Sequence, residues 1–130
     1  MKLYNTTKNL ILEAAALQSV IDAIKKRKKT VILYDGDEPG GKGYRFIEPV
    51  CVGYSKAGNL VLRAWDYAGA SHRGQLRINP LPSWRFFRLD KILSFRLTDE
   101  QFDEPRPGYN PRGDKSMIKV IINVDFNKLV

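Results

Sequence analysis

Residues 24–34 read Ile-Lys-Lys-Arg-Lys-Lys-Thr-Val-Ile-Leu-Tyr, and the hydrophobic periodicity of the chain changes within this stretch. Before it, apolar residues recur every three or four positions, which is the spacing of one face of an α-helix. After it, a run of β-branched and aromatic residues is typical of a β-strand. The change at Thr30 therefore predicts one helix followed by a mainly β domain.

The helix is predicted over residues 6–28. Polar residues at positions 5–7 can cap its start, and the basic residues at positions 25–29 suit its end, where the helix dipole favours cations. The dipole is the simpler explanation for these charges, and a phosphate contact is the alternative. On that alternative, the secondary phosphate-binding residues are Lys25, Lys26 and Lys28.

Five β-like runs follow the helix, and turn-rich segments separate them. The predicted fold class is mainly β with one N-terminal α-helix, arranged as an Sm-like or SH3-like barrel of five strongly bent antiparallel strands. Pro49 marks an edge position or a bulge in the second strand. Residues 99–116 are acidic and then rich in Pro and Gly, which is typical of a linker. The β-like runs cover residues 31–34, 44–54, 60–67, 85–97 and 117–126.

A hydrophobic core is expected where the apolar positions of the helix and the strands meet. Leu89→Ala within it is expected to lower the free energy of unfolding by about 2–5 kcal/mol. The predicted core consists of Leu10, Leu17, Ile21, Ile24, Val31, Leu33, Leu62, Phe87, Leu89 and Ile92.

The 130 residues suit a single domain spanning positions 1–130, and the formal net charge of +8 attracts polyanions or anionic surfaces. One Cys and one His exclude a disulfide and a multi-ligand zinc site. No apolar run approaches the roughly 20 residues that a membrane span requires. Glu13 interrupts the short apolar stretch near the N-terminus, which makes it a poor signal peptide, so a cytoplasmic protein is expected.

No catalytic or metal-binding pattern is found. The glycines at positions 40–43 lack the spacing of a phosphate-binding loop and predict a hairpin turn. The acidic residues at positions 35–38 form an incomplete cation loop. Nothing in the sequence places Cys51 and His72 together as a nucleophilic pair. We therefore expect no enzyme activity, no metal and no cofactor.

Three segments, in this order, resemble the WYL domain family: YRFIEP at 44–49, GNLVLRAWD at 58–66 and RFFRLDKI at 85–92. The resemblance covers about residues 17–98. Its most specific part is FRLDKI at 87–92, which matches the family's F-R-L-D-R-I.

The chain departs from the family at the tripeptide Trp-Tyr-Leu, which is Leu60-Val61-Leu62 here. The resemblance implies an Sm-like β-barrel that senses ligands in bacterial regulators and defence-associated proteins, with a basic groove for nucleic acid or nucleotides. A helix-turn-helix needs at least two helices, and only one is predicted here. This suggests a stand-alone accessory domain, of the kind that a phage or mobile element could encode.

Arginines alternate with aromatic residues throughout the barrel segments. Guanidinium groups bind phosphate through a planar fork and aromatic rings stack on bases, so this mixture suits single-stranded nucleic acid. The alternative, which involves no binding site, is that the aromatic residues belong to the core and the arginines to the solvated surface. The predicted nucleic-acid-binding residues are Arg45, Arg63, Trp65, Arg73, Arg77, Arg85, Arg88 and Lys91.

Three functions are compatible with these features. The leading hypothesis is a regulatory or accessory domain that binds single-stranded nucleic acid. The first alternative is a sensor or sponge for a nucleotide, held in a compact pocket. The second is a structural or assembly protein whose basic surface meets an acidic protein partner. A homo-oligomer or a larger regulatory complex is left open in each case.

Overall fold

A computed structural model describes residues 3–36, 41–69 and 82–130, with the backbone alone described for residues 3–12 and 69. No helix in these ranges is long and apolar enough to cross a membrane. The elements are helix α1 (Leu3–Lys26), strands β1 (Lys28–Asp35), β2 (Lys42–Ser55), β3 (Leu60–Gly69) and β4 (Ser83–Arg88), a short 3-10 turn (Leu89–Lys91), and strands β5 (Ile92–Gln101) and β6 (Met117–Asn123).

The strands form one antiparallel sheet. Five of them follow the order β4-β3-β2-β1-β5, and the sixth, β6, pairs with β2 outside this order. The long strand β2 has β3 along one edge. Its other edge is shared, because β1 pairs with its first half and β6 with its second half. The register of β2 against β3 shifts between Pro49 and Cys51. This confirms the irregularity predicted at Pro49, which lacks the N–H that a ladder requires.

The fold class of one N-terminal helix and a mainly β domain is confirmed, but the prediction of five strands is wrong. The run predicted over residues 85–97 is two strands, separated by the 3-10 turn. β4 pairs with β3 at one side of the sheet, whereas β5 pairs with β1 at the other, so the chain must turn between them. No pairing joins β4 to β5 in the described part of the chain, and the closed Sm-like barrel is therefore not confirmed.

Most of the predicted core positions are buried or pack against the core, but β1 faces the other way. Ile32 and Tyr34 are buried, whereas Val31 and Leu33 are only half-buried. All four residues are apolar or aromatic, so alternation alone could not choose the inner face. The side chain of Leu10 lies outside the described part. Ile24, Leu62, Phe87 and Leu89 are buried, and Leu17, Ile21 and Ile92 pack against them.

Helix α1 ends at Lys26 rather than at the predicted residue 28, and Arg27 turns the chain into β1. Arg27 is buried and has a φ of 49°. Its backbone carbonyl accepts a hydrogen bond from the amide of Phe102, at 2.8 Å. Its guanidinium donates to the carbonyl oxygens of Asp125 (2.8 Å) and Lys128 (2.7 Å). This one side chain therefore attaches the C-terminal residues to the end of the helix.

Candidate nucleic-acid interface

The pairing of β3 with β4 places four of the Arg and aromatic side chains on one surface. Arg63 lies opposite Phe86, and Trp65 lies opposite Trp84. Directly paired residues of antiparallel strands project to the same face of a sheet. We call the surface formed by these four residues the Arg–aromatic face. Its side chains are only half-buried, so part of each remains accessible.

The four side chains are arranged in two stacked pairs. The guanidinium carbon of Arg63 lies 3.5 Å from the ring centroid of Phe86, which is a cation–π contact. The ring centroids of Trp65 and Trp84 are 5.2 Å apart with an interplanar angle of 71°, which is an edge-to-face arrangement. The face therefore combines an oriented cation with two indole rings.

The linker was predicted over residues 99–116, but residues 99–101 belong to β5. The remaining residues, 102–116, cross beside the Arg–aromatic face, and we call them the strap. Phe102 is buried in the core and Gly113 is also buried. Several side-chain contacts fasten the strap to the sheet, and four of them are spread along its length. These four are Arg106 with Glu48, Trp84 with the carbonyl of Pro107, Asn123 with Tyr109, and Arg63 with Asp114.

The contact between Arg106 and Glu48 is a two-pronged ion pair. Nε and Nη2 of Arg106 donate to the two carboxylate oxygens of Glu48, at 3.0 and 2.7 Å. Glu48 is 1% exposed, and its other cationic neighbour is Lys29, with Nζ 3.9 Å from Oε2. A buried carboxylate requires such partners, because desolvation penalises its charge. Arg106 therefore holds the start of the strap.

Gly108 allows the strap to approach Trp84. Its φ is +88°, which favours glycine, and a Cβ built there would lie 3.0 Å from Nε1 of Trp84. The same Nε1 donates to the carbonyl oxygen of Pro107, at 2.7 Å. The strap thus lies against the edge of the indole ring.

A pocket of about 860 Å³ lies between the strap and the sheet. Trp84 and Tyr109 supply aromatic surface, and Arg63 supplies a cation from the sheet. The strap itself contributes two further cations and one carboxylate, so among the described lining residues three cations face one acid, an excess of two positive charges. The strap residues concerned are Arg112, Lys115 and Asp114.

Asp114 orients Arg63 at the edge of this pocket. Nε of Arg63 donates to Oδ2 of Asp114, at 2.5 Å. Burial raises the pKa of Asp114, but hydrogen bonds from Arg63 and Ser116 and the charge of Arg63 outweigh it, so the pKa lies below its usual value. The carboxylate is therefore charged at neutral pH. The two terminal nitrogens of Arg63 make no hydrogen bond to the described part of the chain.

Asn123 and Tyr109 form the polar wall of the pocket. Nδ2 of Asn123 donates to the hydroxyl of Tyr109 (3.1 Å) and to the carbonyl of Pro111 (3.2 Å). The hydroxyl of Tyr109 donates in turn to the carbonyl of Val124, at 2.9 Å. Burial raises the pKa of Tyr109. Oδ1 of Asn123 is buried and has no hydrogen-bond partner in the described part of the chain.

Cys51 also lines the pocket, as a small buried side chain. Burial raises the pKa of its thiol to about 11, so the thiol is protonated at neutral pH. Its Sγ lies 3.6 Å from Sδ of Met117. Among the residues that the structure describes, no cluster of His, Cys, Asp and Glu side chains is arranged to hold a metal ion.

Arg45 was predicted to bind nucleic acid on the surface, but its side chain is buried. Its side chain is 1% exposed and pairs with Asp66, which is 0% exposed, at 3.3 Å. It also donates to the carbonyl oxygen of Gly41, at 2.8 Å. Paired burial explains this position, because a buried guanidinium requires an anion beside it. Arg45 therefore has a structural role.

The residues of the RFFRLDKI segment are divided between surfaces. Arg85 pairs with Ala64 and follows Trp84 directly in β4. Because successive side chains of a strand project to opposite faces, Arg85 lies on the face opposite the Arg–aromatic face. Arg88 lies on the same face as Phe86, and its guanidinium is bound to Asp90 through bonds of 3.0 and 2.6 Å. Lys91 ends the 3-10 turn and is half-buried.

The remaining predicted residues lie at other places. Lys25 and Lys26 are exposed at the end of α1. Nζ of Lys28 donates to the carbonyl oxygen of Asp99, at 3.2 Å, which attaches it to β5. Arg73 and Arg77 fall outside the described residues.

Sequence reasoning missed the contribution of the strap. Its composition is typical of a linker, and nothing local shows that it folds back over the sheet. Asn123, at the end of β6, was missed for the same reason. The one available signal was the pair of cations in the Pro- and Gly-rich segment, Arg112 and Lys115.

Comparison with known proteins gives a likeness of fold. No known family profile and no curated protein matches the sequence. Among solved structures, the chain is similar to part of the proteasome accessory factor B/C of Arthrobacter aurescens, with a TM-score of 0.55 and 22% sequence identity. The match covers 75% of this chain and 13% of that protein. The two therefore share a fold over that segment.

Proposed function

We propose that this chain is a WYL-like regulatory or accessory module that binds single-stranded nucleic acid on the Arg–aromatic face. The observation that carries the proposal is the stacking of Arg63 on Phe86 beside the Trp65–Trp84 pair. A guanidinium whose terminal nitrogens make no hydrogen bond to the described residues suits a phosphate, and half-buried aromatic rings suit unpaired bases. In this proposal the module acts by binding, without catalysis.

The charge of the chain supports the same ligand. The net charge is +8, and the described lining of the pocket beside the face has an excess of two positive charges. A polyanion gains affinity from such a field by releasing its counterions. A cytoplasmic location, where nucleic acid is available, is part of this proposal.

The resemblance of the sequence to the WYL family supports the regulatory part. Domains of that family serve as ligand sensors. The segments that carry the resemblance lie in β2, in β3 with the turn before it, and in β4 with the 3-10 turn that leads to β5. We further propose that the bent sheet is an open form of the family's Sm-like barrel. The order β4-β3-β2-β1-β5 supports this, because β4 and β5 are its two ends.

The test compares a fluorescently labelled 12-nucleotide single strand with the same sequence as a duplex, by anisotropy over a series of salt concentrations. We expect the single strand to bind about tenfold more tightly, because one stacked base contributes about 1–3 kcal/mol. The logarithm of affinity should fall linearly with the logarithm of salt concentration. Equal affinity for the duplex would show a plain electrostatic surface and contradict the proposal.

Arg63→Lys tests the face itself, with Arg96→Lys as the matched control. Both variants keep the charge, and Arg96 is an exposed residue of β5, at the other side of the sheet from β4. Lysine lacks the planar fork and stacks poorly, so Arg63→Lys should weaken strand binding about tenfold or more. Arg96→Lys should bind like the parent. Unchanged binding by a folded Arg63→Lys variant would exclude the Arg–aromatic face as the site.

A further inference from the structure

We infer that the pocket under the strap binds one nucleotide, with its phosphate on the guanidinium of Arg63 and its base against Trp84. The inference rests on the proposed function for the class of ligand. It goes beyond that function by assigning a bounded site, and by giving roles to strap residues that carry no sequence motif.

The phosphate end is defined by Arg63. Asp114 occupies only Nε, at 2.5 Å, and Phe86 lies against the guanidinium plane, at 3.5 Å. These two contacts fix the orientation of the group without occupying its terminal nitrogens. Two parallel N–H donors of this kind match two oxygens of a phosphate. Arg63 is therefore a preorganised phosphate ligand.

Two cations of the strap add to this end of the pocket. Arg112 and Lys115 are exposed, line the pocket and make no ion pair with the described part of the chain. With Arg63 and the carboxylate of Asp114, they leave an excess of two positive charges among the described lining residues. A phosphate monoester has a charge of about −1.5 to −2 at neutral pH, which matches this excess.

The base end is aromatic, and the polar atoms of its two aromatic side chains already have hydrogen-bond partners. Nε1 of Trp84 is bound to Pro107, and the hydroxyl of Tyr109 is bound to Val124. Both side chains can therefore offer ring surface to a ligand, which favours a flat stacked group. The volume of about 860 Å³ lies within the range of about 300–1,000 Å³ that is typical of small-ligand sites.

Asn123 provides an independent sign of a missing ligand group. Its Nδ2 is held by Tyr109 and Pro111, which fixes the amide so that Oδ1 is the free acceptor. That oxygen is buried and has no hydrogen-bond partner among the residues that the structure describes. Every common nucleobase has an N–H or amino donor on its pairing edge. A base inserted between Asn123 and the strap would supply the absent donor.

The nucleotide can come from two sources, a free nucleotide or one nucleotide of a bound strand. Both sources present one phosphate and one base. Calorimetric titration of the full chain with the four common nucleoside 5′-monophosphates tests whether the pocket binds this combination. We expect at least one of them to bind with a stoichiometry of one. Its nucleoside and inorganic phosphate should each bind about tenfold more weakly or worse, because each lacks one half of the contacts.

The double substitution Arg112→Gln with Lys115→Gln tests the location. Both residues are exposed, so the change should leave the fold intact. The matched control is Lys42→Gln with Lys56→Gln, which removes the same charge from two exposed positions outside the pocket. The pocket variant should weaken nucleotide binding about fivefold or more, and the control less than about twofold. Equal effects of the two variants would overturn the inference.

Competition with the labelled strand distinguishes a free nucleotide from a nucleotide of a bound strand. It also tests the pocket separately from the proposed function. Displacement of the strand by the monophosphate supports the pocket with a strand as the source. Nucleotide binding without displacement means that the strand does not occupy Arg63, so the proposed strand site fails while the pocket stands with a free nucleotide as its ligand. If the nucleotide binds and the strand does not, the proposed function fails and the pocket stands. If inorganic phosphate binds as tightly as every nucleotide, or no nucleotide binds, the inference fails whatever the strand does.

Discussion

Nε of Arg63 donates a hydrogen bond of 2.5 Å to Oδ2 of Asp114, a residue 51 positions later in the chain. The bond joins the middle of β3 to the strap. It also orients the guanidinium that stacks on Phe86, so Asp114 determines the direction in which the terminal nitrogens of Arg63 point. The position of the strap and the properties of the candidate site are therefore linked through these two residues.

Asp114→Asn should lower the free energy of unfolding by about 1–3 kcal/mol at neutral pH, because it removes the charge from this hydrogen bond. The folded pKa of Asp114 lies below its usual value of 3.8. Its stabilising effect is therefore present above that value and is lost as the pH falls through the lowered pKa. The difference between parent and variant should shrink as the solution is acidified.

Urea unfolding at neutral and acidic pH measures this difference, with Asp99→Asn as an exposed control. The control should differ little from the parent at either pH. A difference between Asp114→Asn and the parent that persists unchanged at low pH would show that the variant acts through packing rather than charge.

Arg106→Met should destabilise the protein by about 1–3 kcal/mol, because it leaves Glu48 buried with Lys29 at 3.9 Å as its cationic partner. Adding Glu48→Gln removes the buried charge and should recover part of the loss. A double-mutant cycle measured by urea unfolding should give a coupling energy of about 0.5–3 kcal/mol. Additive effects of the two substitutions would show that the pair does not hold the strap.

Arg45→Met should reduce stability by about 3–5 kcal/mol, because Asp66 would keep a buried charge without this partner. Strand binding per folded molecule should be unchanged, since Arg45 is 1% exposed. Chemical unfolding and anisotropy on the same preparation separate the two effects. A variant with the stability of the parent and weaker binding would return Arg45 to the binding site.

Arg27→Ala and Arg27→Gly should both destabilise the protein, since each removes the hydrogen bonds to the carbonyls of Asp125 and Lys128. The glycine variant should be about 1–2 kcal/mol more stable than the alanine variant, because a φ of 49° is costly for any residue with a Cβ. Thermal unfolding of the two variants gives this difference directly. Equal stability would show that the chain relaxes out of the left-handed conformation.

Local signals predicted the elements of this fold well. The change of period at Thr30 separates α1 from β1, and the irregularity at Pro49 appears in the register of β2. The corner at Leu89 was missed, because the residues on both sides of it have strand-like character. The inner face of β1 was missed because Ile32 and Leu33 are equally apolar.

Part of the candidate site was predicted in the same way. Arg63 and Trp65 share a strand face, which follows from the alternation along β3. The sequence around Arg45 is like that around a surface arginine, and only the fold brings Asp66 beside it. Lys115 and Arg112 were assigned to a linker, since a Pro- and Gly-rich segment contains no sign of what it packs against.

The sequence by itself determined the helix, the β runs, the positive charge and the alternation of Arg with aromatic residues, because these depend on neighbours within a few positions. Only the tertiary structure decided which arginines are accessible and where the pocket lies. Those properties depend on pairs such as Arg45 with Asp66, 21 positions apart, and Arg63 with Asp114, 51 positions apart. The energy of such a pair depends on burial and geometry, which arise only when distant segments pack together.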